Sequence, residues 1–170
     1  MPEEIQLALE TGRLLKQQKL WMATAESCTG GLLGHLITSV AGSSGYYLGG
    51  MITYSNAAKE RWLGVAHETI EIYGAVSKET VLAMARGARA AFSEQLNLER
   101  IIGIAISGIA GPGGGTPEKP VGTVWIGICA FEKDTAERFH FEGSRSSVKN
   151  QSVHQALEML IDYLSLKKTG

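Results

Sequence analysis

Two short segments carry residue types and spacings that could do chemistry. The first is Ala25-Glu26-Ser27-Cys28-Thr29-Gly30-Gly31, and the second is Ser107-Gly108-Ile109-Ala110-Gly111-Pro112-Gly113-Gly114-Gly115. Each follows an apolar run that reads as a buried strand, and each opens into glycine. A strand end with a hydroxyl and free backbone N–H groups is where α/β proteins bind anions or attack carbonyls. Ser27 sits where a strand gives way to a helix, and the N–H groups of Thr29 and Gly30 could stabilise an oxyanion there. From this segment alone the plainer role is the commoner one, in which Ser27 or Thr29 caps the helix that starts near Gly30. Cys28 is a rival nucleophile, although a cysteine in an apolar setting is more commonly buried and inert.

Lys59 supplies a partner. If Asn56 caps a short helix, Lys59 falls at the third helical position, where the positive end of the dipole opposes a cation. That placement lowers a lysine pKa, the more so with burial. A neutral lysine beside Ser27 could take the hydroxyl proton, the logic of a serine–lysine pair. Taken alone, Lys59 beside Glu60 and Arg61 also fits a solvated helix face. Tyr54 and Ser55 could orient the lysine or relay a proton, or serve only as packing and capping residues.

The second glycine segment has neither the Gly-x-Gly-x-x-Gly order nor a Gly-Lys-Ser/Thr ending. Neither a dinucleotide fingerprint nor a Walker loop is expected. Ser107 and Gly108 continue a buried strand, and the glycines after Pro112 could close over a ligand. Arg145 stands just before a helix among Ser144, Ser146 and Ser147. It fits a phosphate or carboxylate cradle, or a surface arginine beside a serine cap. His35, His67, His140 and His154 show no paired ligand spacing, so no metal site is expected.

These residues need elements to position them. Glu4 to Lys16 places Ile5, Ala8, Leu9, Gly12 and Leu15 on one helical face. Leu20 to Ala25 reads as a buried strand, Gly30 to Val40 as a helix, and Tyr46 to Tyr54 as a strand that bends at Gly49-Gly50. A short helix follows from Asn56 through Trp62. Ser77 reads as the N-cap of a long helix whose alanine-rich stretch, Val81 to Phe92, suits close packing on a sheet. Arg100 to Ser107 and Gly122 to Phe131 are further strands, Arg138 to Phe141 an edge strand, and Ser147 to Leu164 the closing helix. The expected fold is a three-layer α/β/α sandwich with a mixed, mostly parallel sheet, the Val121–Phe141 hairpin supplying the antiparallel part.

The 170 residues are 44% hydrophobic and 19% charged, which suits a single domain over 1–170 with its own core. A net charge of -1 gives no electrostatic argument for nucleic acid or an anionic membrane as partner. Two cysteines, Cys28 and Cys129, do not make a disulfide framework, so a reduced, cytoplasmic protein is expected. The acidic start, Met1-Pro2-Glu3-Glu4, does not suit a secretory signal. No run approaches the ~18 apolar residues of a membrane span.

Taken in order, the motifs then become recognisable. Thr24 to Gly31, Gly50-x-x-Thr53-Tyr54-Ser55-Asn56-x-x-Lys59, Gly74-Ala75-Val76-Ser77, Ser107 to Gly114, Lys119-Pro120-Val121-Gly122-Thr123-Val124 and Gly143-x-Arg145 resemble the CinA C-terminal domain family. The resemblance runs from about Leu7 to Leu164. Stand-alone members of that family are nicotinamide-nucleotide amidohydrolases. The resemblance therefore implies hydrolysis of nicotinamide mononucleotide to nicotinic acid mononucleotide and ammonia, without cofactor or metal, in pyridine nucleotide recycling. It implies Ser27 as nucleophile and Lys59 as base, with Tyr54 assisting. Cys28, Thr29, Gly30, Gly31, Ser55, Asn56, Ser107, Gly108, Ile109 and Arg145 would form the substrate site, and Arg145 would take the phosphate. A homo-oligomer, a dimer first, is implied as well. Longer members carry an N-terminal domain similar to molybdopterin-binding proteins, associated with ADP-ribose pyrophosphatase activity. The present chain has no room for it, and that activity is not expected. The family's link with bacterial competence keeps a non-catalytic nucleotide-binding or regulatory module open as a second class. A different small-molecule amidase or a phosphoesterase is a third.

Overall fold

Along strand β3 (Ile101–Gly108) the large residues Ile102, Ile104 and Ile106 alternate with Gly103 and Ala105, and that alternation sets the layers. Successive side chains of a strand point to opposite faces, so one face of the sheet is bulky and the other nearly flat. In the computed structural model, which describes residues 2–131 and 133–166, the elements around β3 follow this division. Before it come α1 (Glu3–Gln18), β1 (Trp21–Glu26), α2 (Leu32–Thr38), β2 (Tyr47–Ile52), α3 (Asn56–Leu63), α4 (His67–Tyr73) and α5 (Lys78–Ala90). After it come β4 (Thr123–Cys129), β5 (Thr135–His140) and α6 (Arg145–Leu166).

The bulky face, with Met22, the three isoleucines, Val124, Ile126 and Ile128, packs under α1, α2 and α6. The flat face, with Ala23, Ala25 and Ala105, receives Val81, Met84, Ala85 and Ala88 of α5. Contact there is close: a Cβ on Gly103 would lie 2.0 Å from the Ala85 carbonyl oxygen. The alanine-rich helix and the small-residue strand face are two halves of one fit.

The five strands run in the order β2-β1-β3-β4-β5. β1 pairs in parallel with β2 and with β3, while β4 is antiparallel to both β3 and β5. This is the expected α/β/α sandwich with a mixed sheet. Its parallel part brings the carboxyl ends of β1, β2 and β3 to one edge, where ligand sites of open α/β sheets form. The bend expected at Gly49-Gly50 is a bulge: Met22 pairs with Tyr47 but Ala23 with Gly49, which leaves Leu48 extra.

Several boundaries differ from the sequence expectation, each for a local reason. Gly30 and Gly31 have φ of 63° and 96° and cannot be helical, so α2 begins only at Leu32. Ser55, not Asn56, caps α3, its hydroxyl accepting from the Ala58 N–H at 3.1 Å. β2 ends at Ile52, and α6 begins at Arg145 rather than Ser147. α1 buries Thr11 and Leu14 in place of Leu9, which is 42% exposed, because it packs beside α6 and the Tyr46 ring. β5 starts earlier than Arg138, and α4 lacked a periodic pattern long enough to mark it. Among the described residues no helix is long and apolar enough to cross a membrane.

Candidate functional site

Ser27 leaves β1 while still docked on the sheet, its N–H donating to the Ile106 carbonyl at 3.0 Å. The chain then turns through Ser27 to Gly31 into α2. Glu26, only 2% exposed, holds that turn from below. Its Oε2 accepts from the Thr29 hydroxyl at 2.7 Å, the Gly31 N–H at 3.0 Å and the Leu33 N–H at 3.1 Å. Its Oε1 accepts from the Gly34 N–H at 2.9 Å. The first N–H groups of a helix lack intrahelical partners, and here a carboxylate from the preceding strand supplies them. Sequence reasoning missed Glu26. The signal was an acidic residue ending an otherwise apolar strand, where an unpaired charge would not be tolerated.

Lys59 approaches Ser27 from the other side. Its side chain is 1% exposed, and Nζ lies 3.0 Å from Ser27 Oγ, 2.8 Å from the Thr53 carbonyl oxygen and 3.3 Å from that of Tyr54. The solvated-face alternative is thereby removed. Ser55 as N-cap places Lys59 at the fourth helical position, not the third, and the cause of its lowered pKa is burial. No acidic side chain pairs with it among the described residues. Cys28, 6% exposed, has its thiol pushed up to about 11, chiefly by burial. It is a poor nucleophile at neutral pH.

The cleft in front of this pair encloses about 240 Å3. Ser27, Cys28, Asn56 and Lys59 form one wall and Ser107, Gly108 and Ile109 another, with Arg145 and the Tyr54 ring at the mouth. Ser107 is fixed by donating to the Ala75 carbonyl at 2.7 Å. Gly108 lets β4 come close, since a Cβ there would sit 2.6 Å from Val124 Cγ2. Arg145 donates from Nη1 to the Gly111 carbonyl and from Nη2 to the Tyr54 hydroxyl, both at 2.6 Å. It therefore ties the second glycine segment to the β2–α3 connection.

Not every expected residue lies on this wall. The Tyr54 hydroxyl turns away from Lys59 to Arg145 and its side chain is 61% exposed; the Tyr54 carbonyl is what meets the lysine. Ser55 is spent on capping α3. Thr29 is fully buried on Glu26, and Gly30 and Gly31 lie behind the wall, making the turn rather than the cleft. The Gly30 N–H donates to the Ser27 carbonyl at 3.1 Å and is not free for an oxyanion. The N–H groups of Thr29, which was expected to serve the oxyanion, and of Cys28, at the wall, have no backbone acceptor. A larger groove, about 720 Å3, runs along α6 past Asn150, Gln151 and Gln155 and shares no lining residue with the cleft of the serine–lysine pair. Among the described residues no cluster of His, Cys, Asp or Glu could hold a metal ion.

Fold and site together define an α/β/α domain with a buried serine–lysine pair at the carboxyl ends of parallel strands. The chain belongs to the CinA C-terminal domain family, whose model matches residues 4–164. It is 48% identical over 156 residues to a CinA-like protein of Citrifermentans bemidjiense, covering 92% of this chain and 36% of that protein. With a CinA-like protein of Thermotoga maritima the identity is 46%, over 89% of this chain and 36% of that protein. The chain thus spans about a third of the length of these relatives. A crystal structure of a competence-damaged protein (CinA) superfamily protein from Klebsiella pneumoniae superposes with a TM-score of 0.89 at 33% identity, covering 96% of this chain and 99% of that one.

Proposed function

We propose that this chain hydrolyses the carboxamide of nicotinamide mononucleotide, giving nicotinic acid mononucleotide and ammonia. The observation that carries the reading is the 3.0 Å contact between Lys59 Nζ and Ser27 Oγ, buried and without a carboxylate beside it. The motif resemblance supplies the substrate, since the relatives are called CinA-like or competence-damaged proteins, names that state no reaction.

In this mechanism neutral Lys59 takes the Ser27 proton as Oγ bonds to the carboxamide carbon. The developing oxyanion is held by the N–H groups of Cys28 and Thr29, two amides of the turn without a backbone acceptor. Protonated Lys59 then gives its proton to the amide nitrogen, the C–N bond breaks and ammonia leaves, with the acyl group on Ser27. Water yields a proton to Lys59 and adds to the acyl carbon. The carbon–Oγ bond breaks, and the proton returns to Ser27. Asn56, Ser107, Gly108 and Ile109 line the ring and ribose, Tyr54 orients Arg145, and Arg145 meets the phosphate. The reading includes a cytoplasmic homodimer, for which the exposed Ile52, Trp62 and Ile72 offer apolar surface.

The test is a coupled ammonia assay on nicotinamide mononucleotide, nicotinamide and NAD. Ammonia from the mononucleotide is expected, with kcat falling about a thousandfold or more in Ser27→Ala. Ser27→Ala protein that turns over at nearly the native rate removes the nucleophile. Tight retention of the mononucleotide by native protein without ammonia would assign a binding module instead.

A further inference from the structure

Lys149 stands four residues beyond Arg145 on α6, so both side chains rise from one face of the helix. Its ammonium reaches the glycine turn: a Cβ built on Gly30 would lie 3.7 Å from Lys149 Nζ. Among the described residues the Lys149 side chain takes no hydrogen bond or ion pair. A cation held near a functional turn without a partner has its donors available to a ligand.

Charge around the cleft points the same way. The chain carries 17 acidic against 16 basic residues, yet no Asp or Glu lines the cleft, whereas the permanently charged Arg145 does. A local excess of positive charge in a nearly neutral chain suits an anionic ligand. Size matters too. The cleft's 240 Å3 falls below the roughly 300 Å3 at which small-molecule pockets begin, so a mononucleotide with its amide at Ser27 must extend past the wall. Arg145 has two of its five N–H donors already committed, from Nη1 to Gly111 and from Nη2 to Tyr54, which fixes its orientation and leaves room for a second cation on a phosphate. The three donors of Lys149 are uncommitted.

We propose that Lys149, with Arg145, holds the terminal phosphate monoester of the ligand and makes the site select a nucleotide over its nucleoside. The identity of the nucleotide rests on the proposed reaction; the phosphate contact does not require turnover. The experiment is therefore a binding measurement in Ser27→Ala protein, by calorimetry, with nicotinamide mononucleotide and with nicotinamide riboside. Adding Lys149→Gln is expected to weaken the mononucleotide about tenfold, while the riboside moves less than about twofold and Lys149→Arg largely restores affinity. Inorganic phosphate should compete with the mononucleotide, and Lys149→Gln should weaken that competition.

Equal losses for both ligands would mean that Lys149 only supports the fold, and no change in either would mean that it faces solvent. Ser27→Ala protein that binds the riboside as tightly as the mononucleotide also overturns the proposal. The ammonia assay on native protein reports separately. Phosphate-dependent binding without ammonia would sink the amidase reading and leave the Lys149 assignment standing.

Discussion

Glu26→Gln changes the support of the turn that carries Ser27, the proposed nucleophile, while leaving side-chain volume nearly constant. In the native protein one carboxylate serves four donors, three on Oε2 and one on Oε1. Glutamine has a single acceptor oxygen. With that oxygen in the Oε2 position, the bonds from Thr29, Gly31 and Leu33 persist but become neutral, a loss of about 1 kcal/mol each. The new NH2 group faces the Gly34 N–H, and the clash of donors costs a further ~1–3 kcal/mol. Against this gross loss of about 4–6 kcal/mol stands the relief of a buried charge, itself a few kcal/mol. The net expectation is a destabilisation of roughly 2–4 kcal/mol, or about 5–15 °C in Tm for a domain of this size. Urea unfolding at neutral pH reads it directly, as a lower midpoint at an unchanged slope. Ammonia release should fall mainly through kcat, because the turn that presents Ser27 loosens while the rest of the cleft stands. A variant within about 0.5 kcal/mol of native stability and at native kcat would refute the reasoning, since scatter at neutral surface sites is that large.

The other expectations concern Lys59 and the sheet–helix contact. Burial lowers Lys59 from its ordinary value of 10.5, whereas the unfolded chain keeps its proton up to that value. Between the lowered value and 10.5 the unfolded state binds more protons, so stability should rise with pH across that window, and Lys59→Met should flatten the rise in urea melts. The same titration should give kcat/KM a limb that climbs as Lys59 loses its proton, absent in Lys59→Ala; an unchanged profile counts against the base role. Gly103→Ala drives a Cβ to 2.0 Å from the Ala85 carbonyl, which only a shift of α5 can relieve. A loss of about 3 kcal/mol is expected by urea unfolding, and less than 1 kcal/mol would show that the helix slides freely.

What could be read from the chain depended on range. The alanines of α5 are a local pattern, and they gave the close packing on the sheet correctly; the alternation of Ile102, Ile104 and Ile106 with Gly103 and Ala105 is as local but was read only as a buried strand. Ser77 as a cap is equally local, its hydroxyl accepting from the Thr80 N–H at 3.1 Å. Lys59 was harder. Its own neighbours, Glu60 and Arg61, suggest solvent, and its burial follows only from parallel pairing that sets the end of β2 beside the end of β1. Glu26 was invisible because four donors reach it from a turn whose conformation the sequence leaves open. Tyr54 shows the reverse error: proximity in sequence to Lys59 suggested a side-chain role, while the backbone carbonyl makes the contact and the ring points outward to Arg145.

The surroundings of Lys59 also constrain which proton can move. As an ammonium it would donate to Ser27 Oγ and to the carbonyls of Thr53 and Tyr54, filling all three N–H positions. As an amine it keeps two N–H groups, and both carbonyls can still be served because carbonyls only accept. The lone pair is then left facing Ser27, the one neighbour of the three that can reverse its role and donate. Both protonation states thus fit a single arrangement of heavy atoms, and little reorganisation opposes the transfer. A carboxylate near Nζ would have held the ammonium and removed the base. Burial without one favours the amine. A proton taken from Ser27 can leave Lys59 only along the same line, toward Oγ or toward the leaving nitrogen that lies beside it during reaction. In the proposed reaction this shell would let Lys59 serve both as the base that activates Ser27 and as the acid that releases ammonia.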